Sequence, residues 1–249
     1  MSIRITLALV ALLSLSACAR WYTPRSPMPI AEVVNLCKSN ASSAQVIQRI
    51  RDSGTTYALR GSDFAKLKAD GVQDPVLDYL QQSFVDNIDL YTRYWVNGEG
   101  LGGCSFCYPQ PVDIDKLESG YGLVPAQPPG YYRNDKPPGV PEWVPYPMKP
   151  APGPPFSTSD IEQMAKDGVS EAQIIERIDN SRLTRVIGVG GTFTVRTQPV
   201  AGLMGSELAQ LSEQGVGYGA LDALQGKFLA QFIETERLRY MNLGKGPFN

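Results

Sequence analysis

The chain contains one helical pattern twice, and this duplication constrains its fold more than any other sequence feature. Aligned without a gap, residues 59–95 and 203–239 share 13 of 37 positions, and residues 33–53 and 161–181 share eight of 21. Agreement of this extent between two parts of one chain indicates that a single structural unit occurs twice. We therefore expect two related units that fold in the same way.

Both copies have the apolar spacing of amphipathic helices. In the first copy, apolar residues follow one another at intervals of three and four, as expected for one buried helix face. These residues are Leu77, Leu80, Phe84, Ile88, Tyr91 and Trp95. The corresponding stripe of the second copy is Leu221, Leu224, Phe228, Phe232 and Leu238. Each copy is therefore predicted to contain one long helix with a continuous core-facing stripe.

Short polar signals mark where the helices begin. The pairs Ser42–Gln45 and Ser170–Gln173 have the spacing of a capping box, in which a serine and a glutamine satisfy each other's backbone N–H groups. Ser62 and Ser206 are candidate N-caps of a further helix in each copy. Asp74, which is followed by a proline, predicts the first turn of the long helix in the first copy.

The second copy has a longer segment between its two conserved blocks. It includes "RVIGVGGTFTVRT" at residues 185–197, in which β-branched or aromatic residues alternate with small ones around two glycines. This pattern is typical of a β-hairpin with a tight turn. The predicted fold is therefore mainly α, with two related four-helix units at residues 28–97 and 156–243. A Pro-rich connector at 98–155 joins them, a β-hairpin at about 183–198 is inserted in the second unit, and residues 244–249 form a tail.

Two copies of one unit tend to pack through the same faces, so that a single chain mimics a two-fold dimer. The long-helix stripes carrying Phe84 and Phe228 are the expected contact surfaces.

The N-terminus has the layout of a secretory signal peptide over residues 1–17, with one basic residue, an uncharged apolar run and then small residues. The following "LSAC", Leu15–Cys18, resembles the lipobox of bacterial lipoproteins. That resemblance implies cleavage before Cys18 and lipidation of Cys18, with residues 18–27 as a tether. Several acyl chains, at about 0.8 kcal/mol per buried CH₂, would hold the protein on a membrane. An ordinary signal peptide with a coincidental Cys18, or a short N-terminal anchor, is the alternative.

Two further expectations come from resemblance. Lipoproteins are sorted partly by the residue after the cysteine, and Ala19 is not the aspartate associated with retention in the inner membrane. The resemblance therefore implies an outer-membrane anchor, with the protein facing the periplasm. The duplicated unit resembles a helical repeat with a "GV" turn found in many bacterial envelope proteins of uncharacterised role, and this likeness brings no active site with it.

The connector is rich in proline and aromatic residues, since 14 of the chain's 20 prolines lie between residues 109 and 155. Such a segment forms neither helix nor sheet interior. Its aromatic residues either pack back on the helical units or form an exposed peptide ligand. The candidate partner-binding residues are Tyr131, Tyr132, Trp143 and Tyr146 in the connector, with Val186 and Phe193 in the predicted hairpin.

Cys104 and Cys107 have the C-x-x-C spacing of redox dithiols and zinc half-sites. In an oxidising compartment a structural disulfide is the simplest interpretation. Redox activity, metal binding and a free or partner-linked pair remain open alternatives. Zinc needs four ligands, yet the mature chain has no histidine and offers only Cys37 besides the lipidated cysteine. We therefore expect no metal and no cofactor, and a buried thiol at Cys37.

Composition narrows the classes of function. The formal net charge of −2 gives no basic surplus for binding nucleic acid. No spacing of Asp, Glu, Lys or Ser marks a catalytic group, and no small-molecule substrate is evident. The expected function is that of a membrane-anchored, non-enzymatic scaffold or assembly module that binds other envelope proteins. A periplasmic thiol-disulfide or hydrolytic enzyme, and a binder of cell-wall glycan, are the alternatives.

Overall fold

The computed structural model describes residues 27–97, 140–149, 151–184, 187–189, 192–194 and 202–243. These residues form eight helices, four in each unit. In the first unit they are α1 (Ile30–Lys38), α2 (Ser43–Ser53), α3 (Gly61–Ala69) and α4 (Asp74–Asn97). In the second unit they are α5 (Thr158–Lys166), α6 (Glu171–Asp179), α7 (Gly205–Glu213) and α8 (Tyr218–Leu243). The signal peptide, Cys18 and its tether, and both cysteines of the C-x-x-C lie outside the described residues.

The capping signals locate three of the eight helix starts. Both predicted capping boxes are confirmed, with Ser42 capping α2 and Ser170 capping α6. The long helix α4 begins at Asp74, as predicted. The prediction of Ser62 and Ser206 as N-caps is wrong, because α3 and α7 begin one residue earlier and these serines lie in the first turn.

The two units share one hydrophobic core. The most extensive packing in the molecule is between the units: α3 lies on α7, α4 lies on α8, and each long helix also contacts the short helix before its counterpart. We call this surface, formed by α3, α4, α7 and α8, the seam. The expectation that the copies pack through the same faces is confirmed, because the stripe residues Phe84 and Phe228 are both buried in this core.

The predicted fold class is wrong in its β-hairpin. The helical body contains no strand, and Leu183, where the hairpin was expected to begin, instead forms an isolated parallel bridge with Phe156. Beyond it, the described backbone shows only a three-residue ribbon that pairs Ile187–Val189 with Thr192–Thr194. Two paired strands of three residues are too short to be stable by themselves. Among the described residues, no third strand lies beside them. The fold is mainly α, and the hairpin is not an element of it.

Two further features bear on the predictions. Cys37 is a free thiol buried in α1, as expected. Within the part of the chain that the structure describes, none of the helices combines the length and the apolar character that crossing a membrane requires.

We predict that Phe84→Ala and Phe228→Ala each lower the free energy of unfolding by about 3 to 5 kcal/mol, the range for a buried phenylalanine. Because both rings lie in one core, the double variant should depart from the sum of the two losses. Urea denaturation followed by circular dichroism measures all three values. Additive losses, with each unit expressed alone remaining folded and monomeric, would contradict a shared core.

Candidate interaction site

The seam is built from the same contacts made twice. Gly61 begins α3 and lies against the backbone carbonyl of Leu221 in α8, so closely that a side chain at this position would overlap that carbonyl. Gly205, the equivalent residue of the second copy, lies in the same way against the carbonyl of Leu77 in α4. The first turn of each short helix is therefore pressed onto the backbone of the opposite long helix. This repetition gives the body a two-fold pseudo-symmetry.

Two aspartates complete these contacts. The backbone N–H of Ser62 donates a hydrogen bond to Oδ1 of Asp222 (2.7 Å), and the backbone N–H of Ser206 donates one to Oδ1 of Asp78 (2.9 Å). The first N–H groups of a helix have no partner within it and favour a negative charge nearby. Each unit therefore supplies the cap that the other unit needs.

A pair of glutamines lies at the centre of the seam. The Nε2 of Gln81 donates to Oε1 of Gln225 (3.0 Å), and the Nε2 of Gln225 donates to Oε1 of Gln81 (2.8 Å). Both side chains are buried, at 2% and 0% exposure. Since each amide satisfies the other, the pair fixes the register of α4 against α8 without leaving a buried polar group unpaired.

The pseudo-symmetry ends farther along the long helices. Glu236 of α8 lies beside the carboxyl of Asp89 in α4 and accepts a hydrogen bond from the guanidinium of Arg239 in its own helix (3.0 Å). Burial raises the pKa of the Glu236 carboxyl, and the Asp89 carboxylate raises it further, whereas Arg239 lowers it. The equivalent residue in α4 is Thr92, whose buried hydroxyl has no hydrogen-bond partner among the described residues. Since Gln81 contacts Gln225 and Asp89 contacts Glu236 farther along both helices, the two long helices run in the same direction. Their C-terminal halves differ in chemistry.

The second unit has additional polar contacts that hold α8. Oε1 of Glu171 accepts from the backbone N–H groups of Gly219 (2.6 Å) and Ala220 (3.2 Å), which caps the N-terminus of α8. The buried Lys227 donates from Nζ to the carbonyl oxygen of Asp179 (2.9 Å), and burial lowers the pKa of its ammonium group. These contacts fix α8 between α4 and α6.

A segment of the connector, residues 140–149, crosses the outside of α8, and we call it the strap. Its Val144 side chain is 1% exposed, and the Trp143 ring lies under the guanidinium of Arg60, with Cζ 5.8 Å from the ring centroid. The Tyr146 hydroxyl donates to Oε2 of Glu234 (3.3 Å). Burial, together with Glu234, raises the pKa of Tyr146 to about 12. The strap therefore contacts both units, since Arg60 precedes α3 and Glu234 lies in α8.

The structure locates two of the candidate partner-binding residues in one place. Trp143 and Tyr146 both lie in the strap, half-buried against the core. The expectation that connector aromatics pack on the helical units is confirmed for these two. Tyr131, Tyr132 and Val186 lie outside the described residues, and for Phe193 only the backbone is described. A role of any of these residues in binding a partner stays a prediction.

Sequence reasoning missed the polar residues of the seam. Asp78 and Gln81 are identical to Asp222 and Gln225 in the alignment of the two copies, but identity alone does not indicate a role. The available signal is that the same polar residue occurs in both copies next to an apolar stripe. Among the described residues, no group of three or more potential ligands is arranged to hold a metal ion.

We predict that Gln81→Leu and Gln225→Leu each destabilise the protein by about 1 to 3 kcal/mol, because each leaves the opposite amide buried and unpaired. The double variant should recover most of this loss, since both polar groups are then removed. Denaturant unfolding of the four proteins measures the coupling. Gln82→Leu, an exposed neighbour, is the control and should change stability by less than about 0.5 kcal/mol. A double loss equal to the sum of the single losses would contradict the pairing.

We also predict that acidification increases the contribution of Glu236 to stability. A carboxyl whose pKa is raised in the folded state binds its proton more tightly there than in the unfolded chain. Its unfavourable contribution at neutral pH therefore diminishes as the pH falls through the folded-state pKa towards the ordinary value of 4.5. Glu236→Gln should be more stable than the wild type at pH 7, and the difference should shrink towards pH 4.5. Thermal unfolding across this range tests it, with the exposed Asp86→Asn as the control.

Comparison with known proteins gives no relative for this site. The chain matches no family model, no curated protein and no solved structure.

Proposed function

We propose that the chain is a lipid-anchored, non-enzymatic scaffold of the bacterial envelope, which holds other envelope proteins at the outer membrane. The observation that carries this proposal is the sequence "LSAC" at Leu15–Cys18, directly behind an uncharged apolar run. Its likeness to a lipobox supports lipidation at Cys18, and Ala19 supports an outer-membrane address.

The geometry of the described body supports a binding module. Its buried polar side chains at the seam pair with groups of the opposite unit, as Gln81 does with Gln225 and as Asp78 does with the N-terminus of α7. These buried polar side chains stabilise one arrangement of the two units. The outer faces of the helices then remain available for contacts with other molecules. A rigid body on a lipidated tether can present such faces close to the membrane.

We predict that Cys18→Ala produces an unprocessed precursor and abolishes labelling by a fatty-acid analogue, because Cys18 is both the cleavage boundary and the acylated residue. Cys37→Ala is the matched control and should be processed and labelled normally, since Cys37 is buried in α1. Normal processing and labelling of Cys18→Ala would rule out the lipid anchor.

The scaffold role is tested with the acyl-free protein, which begins at Ala19. It is immobilised and exposed separately to detergent-extracted envelope proteins and to purified cell wall. Saturable capture of one or a few proteins is expected. Retention of cell wall in place of protein would contradict the scaffold and favour a glycan binder.

A further inference from the structure

The strap lies along a stripe of small residues on α8. Gly226, Ala230 and Glu234 are spaced by four residues, so they share one face of the helix. A Cβ at Gly226 would come within 3.2 Å of Cδ of Pro145 and 3.6 Å of the carbonyl oxygen of Trp143. The three nearest atoms it would meet all belong to the strap. This glycine therefore makes room for the strap, although glycine weakens a helix interior.

The same face of the first unit is different. The residues equivalent to Gly226, Ala230 and Glu234 are Gln82, Asp86 and Leu90, and all three are exposed. The Nε2 of Gln82 donates to Oδ1 of Asp86 (2.7 Å), and Leu90 beyond them is 38% exposed, so this face is not covered by the chain. The small-residue stripe is thus a property of α8 and not of the repeated unit.

The contacts on the strap describe the chemistry that this stripe recognises. Gly226 leaves room for the ring of Pro145, and the guanidinium of Arg60 lies over the ring of Trp143. The carboxylate of Glu234 accepts a hydrogen bond from the Tyr146 hydroxyl. Glu234 is itself held by Arg237, whose Nε and guanidinium nitrogen donate to both carboxylate oxygens (3.1 Å each). The strap presents these groups on a turn from Pro141 to Val144 and on the residues that follow it, so a peptide with the same proline rings, aromatic face and phenol would share its chemistry.

We propose that the stripe of Gly226, Ala230 and Glu234, with Arg60 beside it, is a recognition groove for peptides rich in proline and aromatic residues. The strap fills it in cis, and a segment of the same chemistry in a partner protein replaces the strap. This inference rests on the proposed scaffold function and specifies the kind of partner. Because the strap is tethered, its effective concentration at the groove is high, so a peptide in trans competes poorly until the strap is weakened.

The test uses the acyl-free full chain and a fluorescein-labelled peptide with the strap sequence GVPEWVPYPMKP, residues 139–150. The strap variant combines Trp143→Ala with Tyr146→Ala, both half-buried positions. Fluorescence anisotropy should show saturable binding to the strap variant at least about tenfold tighter than to the wild type. Tyr146→Phe removes only the hydroxyl that bonds Glu234, so this variant should bind the peptide with intermediate affinity. It replaces the double variant in the test if the double variant does not fold.

Two substitutions in the strap-variant background separate the groove from other surfaces. Gly226→Leu should abolish peptide binding, because its side chain occupies the space of Pro145, with circular dichroism unchanged. Gln82→Leu, at the equivalent position of α4, should leave binding unchanged. Absence of saturable binding to the folded strap variants, or equal binding by Gly226→Leu, would overturn the groove.

The two proposals fail in distinguishable ways. If the scaffold captures an envelope protein and the unlabelled peptide reduces that capture, the groove is supported. Capture that an excess of peptide leaves unchanged would overturn the groove while the scaffold function stands. Peptide binding that passes the Gly226→Leu test, without any captured envelope protein, would instead overturn the scaffold function.

Discussion

The structure depends on the close approach of α3 and α7 to the opposite long helices. A helix N-terminus can lie against another helix only if no side chain intervenes and its free N–H groups find acceptors. Gly61 and Gly205 meet the first requirement, and Asp222 and Asp78 meet the second across the seam. Each unit satisfies part of its own helix start through Arg60–Asp63 or Met204–Glu207, but the next N–H group donates to an aspartate of the other unit. We therefore expect the duplicated half to be an incomplete folding unit.

The second long helix and its surroundings depart from the pseudo-symmetry. From Leu224 to Ala230 every residue of α8 is buried, because the seam, α6 and the strap surround it, whereas the equivalent part of α4 keeps a hydrated face. Small or polar residues at Gly226, Ala230 and Glu234 fit the strap, and Glu236 adds a titratable contact near the helix ends. The symmetric positions thus stabilise the body, and the asymmetric ones give the second unit a surface that the first unit lacks.

The sequence predicted a helix start correctly where the residues that stabilise that start lie within the same helical turn. The two capping boxes and the start of α4 need only residues three apart, so local spacing locates them. Ser62 and Ser206 lie one residue inside α3 and α7, because the pairs Arg60–Asp63 and Met204–Glu207 close the first turns of these helices. The hairpin prediction was wrong because the alternating segments pair only with each other over three residues and add no strand to the helical body, while Leu183 is paired with Phe156.

The sequence by itself determined that the chain carries one helical unit twice, where α2, α4 and α6 begin, and that the apolar stripes around Phe84 and Phe228 are buried, since these follow from spacing and composition. The predicted stripe was wrong at its far end, because Leu238 is 47% exposed. The sequence also supplied the lipobox-like "LSAC", whose reading does not depend on the fold. Only the tertiary structure decided that Gln81 pairs with Gln225, that Asp78 and Asp222 exchange caps, and that the strap lies on Gly226. These contacts join residues that are far apart in the chain, and they stabilise the protein only after the helices that carry them have packed together. A local sequence pattern therefore cannot indicate which residue is the partner.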